Sequence, residues 1–196
     1  MKKDIILGGV GGQGILTIAT VIGMAALSEG LQLKQSEVHG MSQRGGDVQS
    51  HLRLSSVPIA SDLIPEGRAD MIISVEPLEA LRYFNMLHRE NGWLITSINP
   101  FKNIADYPDM ENVLGEITKL PRYITIDADK IAQAQGSVKA ANIVVLGAAS
   151  PFLSLKYASI EEAIRKLFGK KGEEMVQLNL HALKAGREFT EKNRKV

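Results

Sequence analysis

Residues 5–14 read Ile5-Ile6-Leu7-Gly8-Gly9-Val10-Gly11-Gly12-Gln13-Gly14, and this stretch indicates which class of fold the chain adopts. Residues 5–7 form a short apolar run of the kind found in buried parallel strands, which are covered on both faces. Glycines end the run, and the apolar residues 15–27 then predict a helix. A strand, a glycine turn and a helix in this order are the start of an α/β domain.

The glycine loop satisfies the pattern Gly-x-Gly-x-x-Gly through Gly9, Gly11 and Gly14. Glycine adopts positive φ angles and lets the backbone approach a ligand, and a helix N-terminus offers unpaired N–H groups to an anion. The loop, with Gly12 and Gln13 inside it, is therefore a candidate phosphate or anion site. The same glycines would also allow close packing of the strand on the helix, and the sequence leaves both interpretations open.

The rest of the chain alternates strands with helices. Further strands are predicted at residues 31–35, 48–54, 71–75, 93–96 and 123–126, and helices at 78–87, 128–135, 140–149, 159–168 and 173–193. This alternation predicts one α/β domain over residues 1–196, with a mostly parallel sheet and helices on both faces in a Rossmann-like, three-layer arrangement. The long, proline-flanked segment 99–108 is a candidate mobile loop.

A second glycine-rich segment follows the predicted second strand. It reads Ser36-Glu37-Val38-His39-Gly40-Met41-Ser42-Gln43-Arg44-Gly45-Gly46. Arg44, beside Gly45 and Gly46, presents a guanidinium next to flexible backbone, which suits a carboxylate or a phosphate. Glu37 and His39 are two residues apart, so in an extended segment they face the same side and could share a proton. A purely structural role for His39 is the alternative.

Two further positions bear on ligand binding. Glu76 follows the predicted strand 71–75, where ligand contacts are common in open α/β sheets, although it would also serve as the N-cap of the next helix. A dinucleotide site would need an acidic residue about 20 positions beyond its glycine loop to hold the ribose. That position falls on Lys34 and Gln35. A free-standing NAD(P)-dependent oxidoreductase is therefore an alternative that lacks the expected ribose-binding acid.

Composition excludes several classes of function. The chain contains no cysteine, which excludes disulfides, thiolate nucleophiles and Cys-ligated zinc or iron–sulfur centres. A formal net charge of +1 gives no general attraction for nucleic acid or an anionic membrane. Asp4 and the early glycines interrupt the apolar segment after Lys2 and Lys3, which argues against a signal peptide. We therefore expect a cytoplasmic protein with no nucleic-acid partner, no membrane span and no metal site of its own.

The quoted segments resemble the gamma-type subunits of the 2-oxoacid:ferredoxin oxidoreductases, and among them the small subunits specific for indolepyruvate. The resemblance runs through residues 8–14, 34–46 and 69–83, and through Ala140-Ala141-Asn142 with Gly147. It therefore covers most of the chain. The run Gln35-Ser36-Glu37-Val38-His39-Gly40-Met41 is its most specific part.

The resemblance implies oxidative decarboxylation of a 2-oxoacid, such as indolepyruvate or pyruvate, by an enzyme with thiamine diphosphate and magnesium. Electrons pass through iron–sulfur clusters to ferredoxin, and coenzyme A takes the acyl group. This chain has no cysteine for a cluster, and Gly46-Asp47 continues with Val48 rather than with the Gly-Asp-Gly…Asn pattern of a thiamine-diphosphate site. The thiamine diphosphate, magnesium and clusters are therefore expected on a larger partner subunit.

We expect no catalytic group on this chain alone. Helix 15–27 is apolar on all sides, which indicates cover on both sides, and we expect it and loop 40–46 to pack against the partner. Arg44 and the glycine-loop amides would then attract coenzyme A phosphates or the oxoacid carboxylate. A module that only completes the partner's fold is the other alternative, and homodimer formation by the isolated chain stays open.

Overall fold

Six strands form one sheet in the computed structural model, which describes residues 1–40, 45–102 and 104–194 except for the side chain of His39. The strands are β1 (Lys2–Val10), β2 (Gln32–His39), β3 (Asp47–Ser55), β4 (Met71–Ser74), β5 (Trp93–Ser97) and β6 (Tyr123–Ile126). Their order is β2-β3-β1-β4-β5-β6. β1, β4, β5 and β6 pair in parallel, whereas β3 runs antiparallel to both β1 and β2. The predicted mostly parallel sheet is confirmed.

Helices cover both faces of this sheet. They are α1 (Ile15–Ser28), α2 (Pro77–Arg82), α3 (Met110–Ile117), α4 (Ala128–Ala134), α5 (Ala141–Ala149), α6 (Tyr157–Phe168) and α7 (Glu173–Asn193). One apolar core joins the sheet to α1 and α4–α7, and a second joins the opposite face to α2 and α3. The three-layer prediction is therefore confirmed. Within the described residues, no helix combines the length and the apolar character needed to cross a membrane.

Two predicted boundaries are wrong in the first half of the chain. The second strand continues to His39 instead of ending at residue 35, because β2 pairs with β3 from Gln32↔Ser55 to His39↔Val48. The polar residues of β2 gave no hydropathy signal, since much of an edge strand faces water. The helix predicted at 78–87 spans only Pro77–Arg82, and a 3-10 turn at Phe84–Met86 follows it.

One helix start was also predicted wrongly, and one helix was not predicted. Ser159 does not begin α6: the helix starts at Tyr157, and its N-cap residue Lys156 makes no side-chain capping bond. The sequence analysis missed α3 altogether. Its signals were the N-cap Asp109, whose carboxylate accepts from the Glu111 N–H at 3.1 Å, and one buried face that includes Val113. By contrast, α7 has the predicted bounds, and α4 begins at the predicted residue 128, with Asp127 as its N-cap.

The closest helix packing lies between α5 and α7. A Cβ added to Gly186 on α7 would overlap the carbonyl oxygen of Val144 and lie 2.9 Å from the Ala148 nitrogen. A Cβ added to Gly147 on α5 would overlap the Leu183 carbonyl oxygen. These neighbours are backbone atoms, so they cannot rotate away. Glycine is therefore required at both positions to let the two helices meet.

We predict that Gly186→Ala lowers the free energy of unfolding by about 3 kcal/mol, because overpacking a rigid contact forces the backbone to shift. Gly115→Ala is the matched control: Gly115 lies within α3 with nothing within 4 Å of an added Cβ. The control should be neutral or stabilising by up to about 1 kcal/mol through helix propensity. Urea unfolding measures both, and equal effects of the two substitutions would contradict the prediction.

Candidate functional site

The two glycine-rich segments lie side by side at one edge of the sheet. The Gly11 N–H donates to the Gly46 carbonyl at 2.9 Å, and the Gly40 N–H donates to the Asp47 carbonyl at 2.9 Å. The antiparallel strand β3 causes this contact, because its first residue, Asp47, pairs with Val10 at the end of β1. Sequence reasoning proposed both segments for one site, and the structure brings their described parts together.

Hydrogen bonds within the glycine loop fold it on itself. Gln13 donates its backbone N–H to the Val10 carbonyl at 3.1 Å, and its side-chain oxygen accepts from the Val10 N–H at 2.8 Å. A Cβ on Gly9 would lie 2.5 Å from the Ile15 side chain and 2.7 Å from that of Val75. Gly9 therefore serves the close packing of strand on helix, which was one of the two interpretations of these glycines.

Gly12 and Gly14 have a different role from Gly9. Both have positive φ angles, 100° and 79°, which favour glycine. A Cβ on Gly12 would meet nothing within 4 Å, so this exposed residue leaves room for a ligand beside the loop. A Cβ on Gly14 would lie 2.5 Å from the Asn142 side-chain nitrogen, which donates to the Gly14 carbonyl at 3.1 Å. Asn142 thus ties the start of α5 to the start of α1.

A crevice of about 600 Å³ opens at the carboxyl ends of β1, β4, β5 and β6. Its lining residues are Gly12, Gln13, Val75, Ser97, Asn99, Pro100, Phe101, Ala128, Asp129, Val138, Lys139, Ala141, Asn142 and Val145. A second cavity of about 280 Å³ lies beyond it and shares Gly12, Gln13, Lys139 and Asn142 with the first. Ligands of open α/β sheets bind at this edge, so the crevice is the candidate site.

The crevice is lined by both charged and apolar side chains. Lys139 is exposed and supplies a positive charge, while Val75, Val138 and Val145 supply apolar surface. Asn99 accepts from the Asp129 N–H and donates to the Asp127 carboxylate, both at 3.0 Å. Burial, with a smaller contribution from Asp127, raises the pKa of Asp129. The described lining contains no histidine, and the described residues hold no group of three or more His, Asp or Glu suited to a metal ion.

Glu76 is buried and acts as the N-cap of α2. Its carboxylate accepts from the Glu79 N–H at 2.7 Å, from the Phe101 N–H at 3.3 Å and from the Tyr107 hydroxyl. The N-cap interpretation of Glu76 is therefore confirmed. Glu76 is 1% exposed and is not among the residues that line the crevice.

The predicted proton-sharing pair lies on β2 rather than in a loop. Glu37 and His39 occupy alternate positions of this strand. The exposed carboxylate of Glu37 accepts a hydrogen bond from the Gln35 side chain. The side chain of His39 and the whole of Arg44 lie outside the described residues.

The strand order does not favour a dinucleotide site. In such a site the ribose-binding acid stands at the end of the strand next to β1. Here β3 occupies that place in the opposite direction, and β2 lies beyond it. An acid at the end of β2 would be two strands from β1, about 10 Å away.

Sequence reasoning missed two side chains at this edge, Lys139 and Tyr107. The signal for Lys139 was its position three residues before Asn142, at the start of a buried apolar helix. Tyr107 is one of two aromatic residues in the 99–108 segment, the other being Phe101. Neither position suggests its partner, because the contacts join elements far apart in the sequence.

His51 has a structural role in the sheet. It lies on β3 with 7% exposure, and its Nδ1 accepts from the Ile64 N–H at 3.0 Å. This bond requires an unprotonated Nδ1. Burial is the main cause that lowers the pKa of His51, opposed by Asp62 and assisted by Arg53.

We predict that the free energy of unfolding falls as the pH drops below about 6.5, the ordinary histidine pKa. Below that pH the unfolded state binds more protons than the folded state, since the folded-state pKa of His51 is lowered. Urea unfolding between pH 7.5 and 5 should show a steeper loss for the wild type than for His51→Gln. The exposed His181 provides the control His181→Gln, which should keep the wild-type slope. Equal slopes in all three proteins would contradict this account.

Comparison with known proteins agrees with this architecture. The family described as pyruvate ferredoxin/flavodoxin oxidoreductase matches residues 4–189. Indolepyruvate oxidoreductase subunit IorB of Archaeoglobus fulgidus is 41% identical over 194 residues, covering 95% of this chain and 94% of the relative. The IorB subunit of Pyrococcus horikoshii is 37% identical over 197 residues, covering 95% of each.

A solved structure shows the same fold. The 2-oxoglutarate:ferredoxin oxidoreductase of Magnetococcus marinus superimposes with a TM-score of 0.78 at 21% identity, covering 100% of this chain and 32% of that one. This chain therefore shares its α/β fold with part of that oxidoreductase. The chain belongs to the pyruvate ferredoxin/flavodoxin oxidoreductase family. The resemblance predicted from the sequence is confirmed.

Proposed function

We propose that this chain is the small subunit of an indolepyruvate:ferredoxin oxidoreductase and carries no redox centre of its own. The IorB relatives, named as indolepyruvate oxidoreductase subunits, support this substrate. The absence of cysteine supports the placing of the iron–sulfur clusters on a larger partner, which would pass electrons to ferredoxin. Coenzyme A is the proposed acceptor of the acyl group.

The proposal also places thiamine diphosphate and magnesium on the partner. Thiamine diphosphate, when bound, supplies the electron sink for decarboxylation. The residues of this chain do not fit that cofactor: Asp47, which would begin a magnesium-binding motif, is paired with Val10 in the sheet and is followed by Val48. The work of this chain is to bind, orient and shield a substrate.

The crevice is the observation that carries this role. Its volume of about 600 Å³ lies in the range typical of sites for cofactor-sized ligands, roughly 300–1,000 Å³. Lys139 at its rim suits a phosphate or a carboxylate, and the apolar walls at Val75 and Val145 suit an extended thioester arm. The Magnetococcus marinus enzyme holds 2-oxoglutarate, coenzyme A and succinyl-CoA. We propose that the crevice positions coenzyme A or, failing that, the oxoacid.

The remaining predicted residues belong to this proposal as a surface facing the partner. Glu37, His39, Arg44, Gly45 and Gly46 belong to β2 and the adjoining loop, which meets the glycine loop through the bond between Gly11 and Gly46. Arg44, which lies outside the described residues, is proposed to supply a further positive charge to the anionic ligand. Such electrostatic placement gains strength where the partner excludes water.

We predict that Lys139→Ala raises the KM for coenzyme A about tenfold in the assembled enzyme and leaves kcat unchanged, because it removes a charge-assisted contact. Steady-state kinetics with indolepyruvate and a viologen acceptor measure both constants. Lys170→Ala removes an exposed lysine that does not line either cavity and is the control. Arg44→Ala should act in the same direction as Lys139→Ala. Unchanged KM values for both coenzyme A and the oxoacid in both variants would overturn the binding role.

Purification from the native host under strict anoxia tests the proposed assembly. We expect a large, iron-containing partner to co-purify, and the complex to reduce viologen with indolepyruvate and coenzyme A. Neither subunit alone should show this activity. A chain that elutes alone, colourless and with bound NAD(P) would instead favour the free-standing dehydrogenase.

A further inference from the structure

The carboxylate of Glu76 joins α2 to a segment that is distant in sequence. We define the strap as residues 99–102 and 104–108, and Glu76 contacts it at two points. One carboxylate oxygen accepts from the Phe101 N–H at 3.3 Å and from the Tyr107 hydroxyl, while the other caps α2 through the Glu79 N–H at 2.7 Å. The two bonds to the strap therefore depend on a side chain that α2 itself fixes in place.

The strap forms one wall of the crevice. Asn99, Pro100 and Phe101 line it, and Phe101 is 43% exposed there. Asn99 is held separately through its bonds to Asp127 and to the Asp129 N–H. The position of Phe101 therefore depends on Asn99 from one side and on Glu76 and Tyr107 from the other.

The role of N-cap does not by itself explain why a carboxylate is buried so close to the crevice. As an N-cap alone, Glu76 would need only the bond to the Glu79 N–H, which Ser or Asn also makes. A buried carboxylate can also accept hydrogen bonds from further donors. Such bonds are stronger than those between neutral groups. Tyr107 is suited to remain such a donor: burial first, then its bond to Glu76, raise the pKa of Tyr107 well above its usual range.

We propose that Tyr107 is a positioning residue, which fixes the strap through Glu76 and so shapes the crevice for its ligand. Tyr107 is only partly buried and does not line the crevice, so it acts through Glu76 and Phe101 rather than by touching ligand. The inference rests on the proposed binding role of the crevice. It adds the residue that holds one wall in the binding geometry.

Tyr107→Phe in the assembled enzyme tests the proposal, because it removes one hydroxyl and keeps the ring. We expect hydrogen exchange of the Phe101 amide, measured by mass spectrometry on peptides that span the strap, to become about tenfold faster. We also expect the KM for coenzyme A to rise several-fold with kcat unchanged. Tyr157→Phe is the matched control, since the Tyr157 hydroxyl is buried and has no partner among the described residues.

Exchange at Phe101 that is no faster in Tyr107→Phe than in Tyr157→Phe would overturn the proposal. Faster exchange with unchanged KM values would also overturn it, provided that Lys139→Ala does raise the KM for coenzyme A. If Lys139→Ala and Arg44→Ala leave both KM values unchanged as well, the binding role of the crevice fails instead. The exchange measurement is independent of activity, so it separates the two failures.

Discussion

The close approach of α5 to α7 is the constraint on which the candidate site depends. Gly147 and Gly186 let the two helix backbones meet, and α5 is thereby held deep in the core against the sheet. Asn142 in its first turn can then reach the Gly14 carbonyl at the start of α1. Both cavities include Asn142, so a shift of α5 would change the geometry of each. The packing of α5 on α7 thus determines the position of Asn142 in the crevice.

The antiparallel strand β3 distinguishes this sheet from a fully parallel α/β sheet. By pairing with β1 along its whole length, β3 returns the chain so that Gly46 meets Gly11. The same insertion moves the end of β2 away from the glycine loop, where a dinucleotide fold would place its ribose-binding acid. One strand direction therefore joins the two glycine-rich segments and disfavours the NAD(P) alternative. This geometry suits the proposed role of positioning a substrate.

The accuracy of the sequence predictions followed the strength of local signals. The bounds of α7 and the start of α4 at residue 128 were predicted correctly, because amphipathic spacing and N-cap chemistry are properties of neighbouring residues. The predicted start of a helix at residue 159 was wrong, since α6 extends back to Tyr157 in the packed structure. The second half of β2, residues 36–39, could be recognised only through its ladder with β3. At the site, the glycine loop was found from sequence, whereas Lys139 and Tyr107 were not.

The sequence by itself determined the α/β class, the alternation of strands with helices, the glycine loop, the lack of a cysteine-bound redox centre and the resemblance to its family. These depend on composition, periodicity and short motifs, which act over a few residues. Only the tertiary structure decided that β3 lies between β1 and β2, that Asn142 fastens α5 to Gly14, and that Glu76 gathers Phe101 and Tyr107. The physical reason is that hydrogen-bond partners 25 to 128 residues apart meet only after the core has packed, so no local pattern can indicate them.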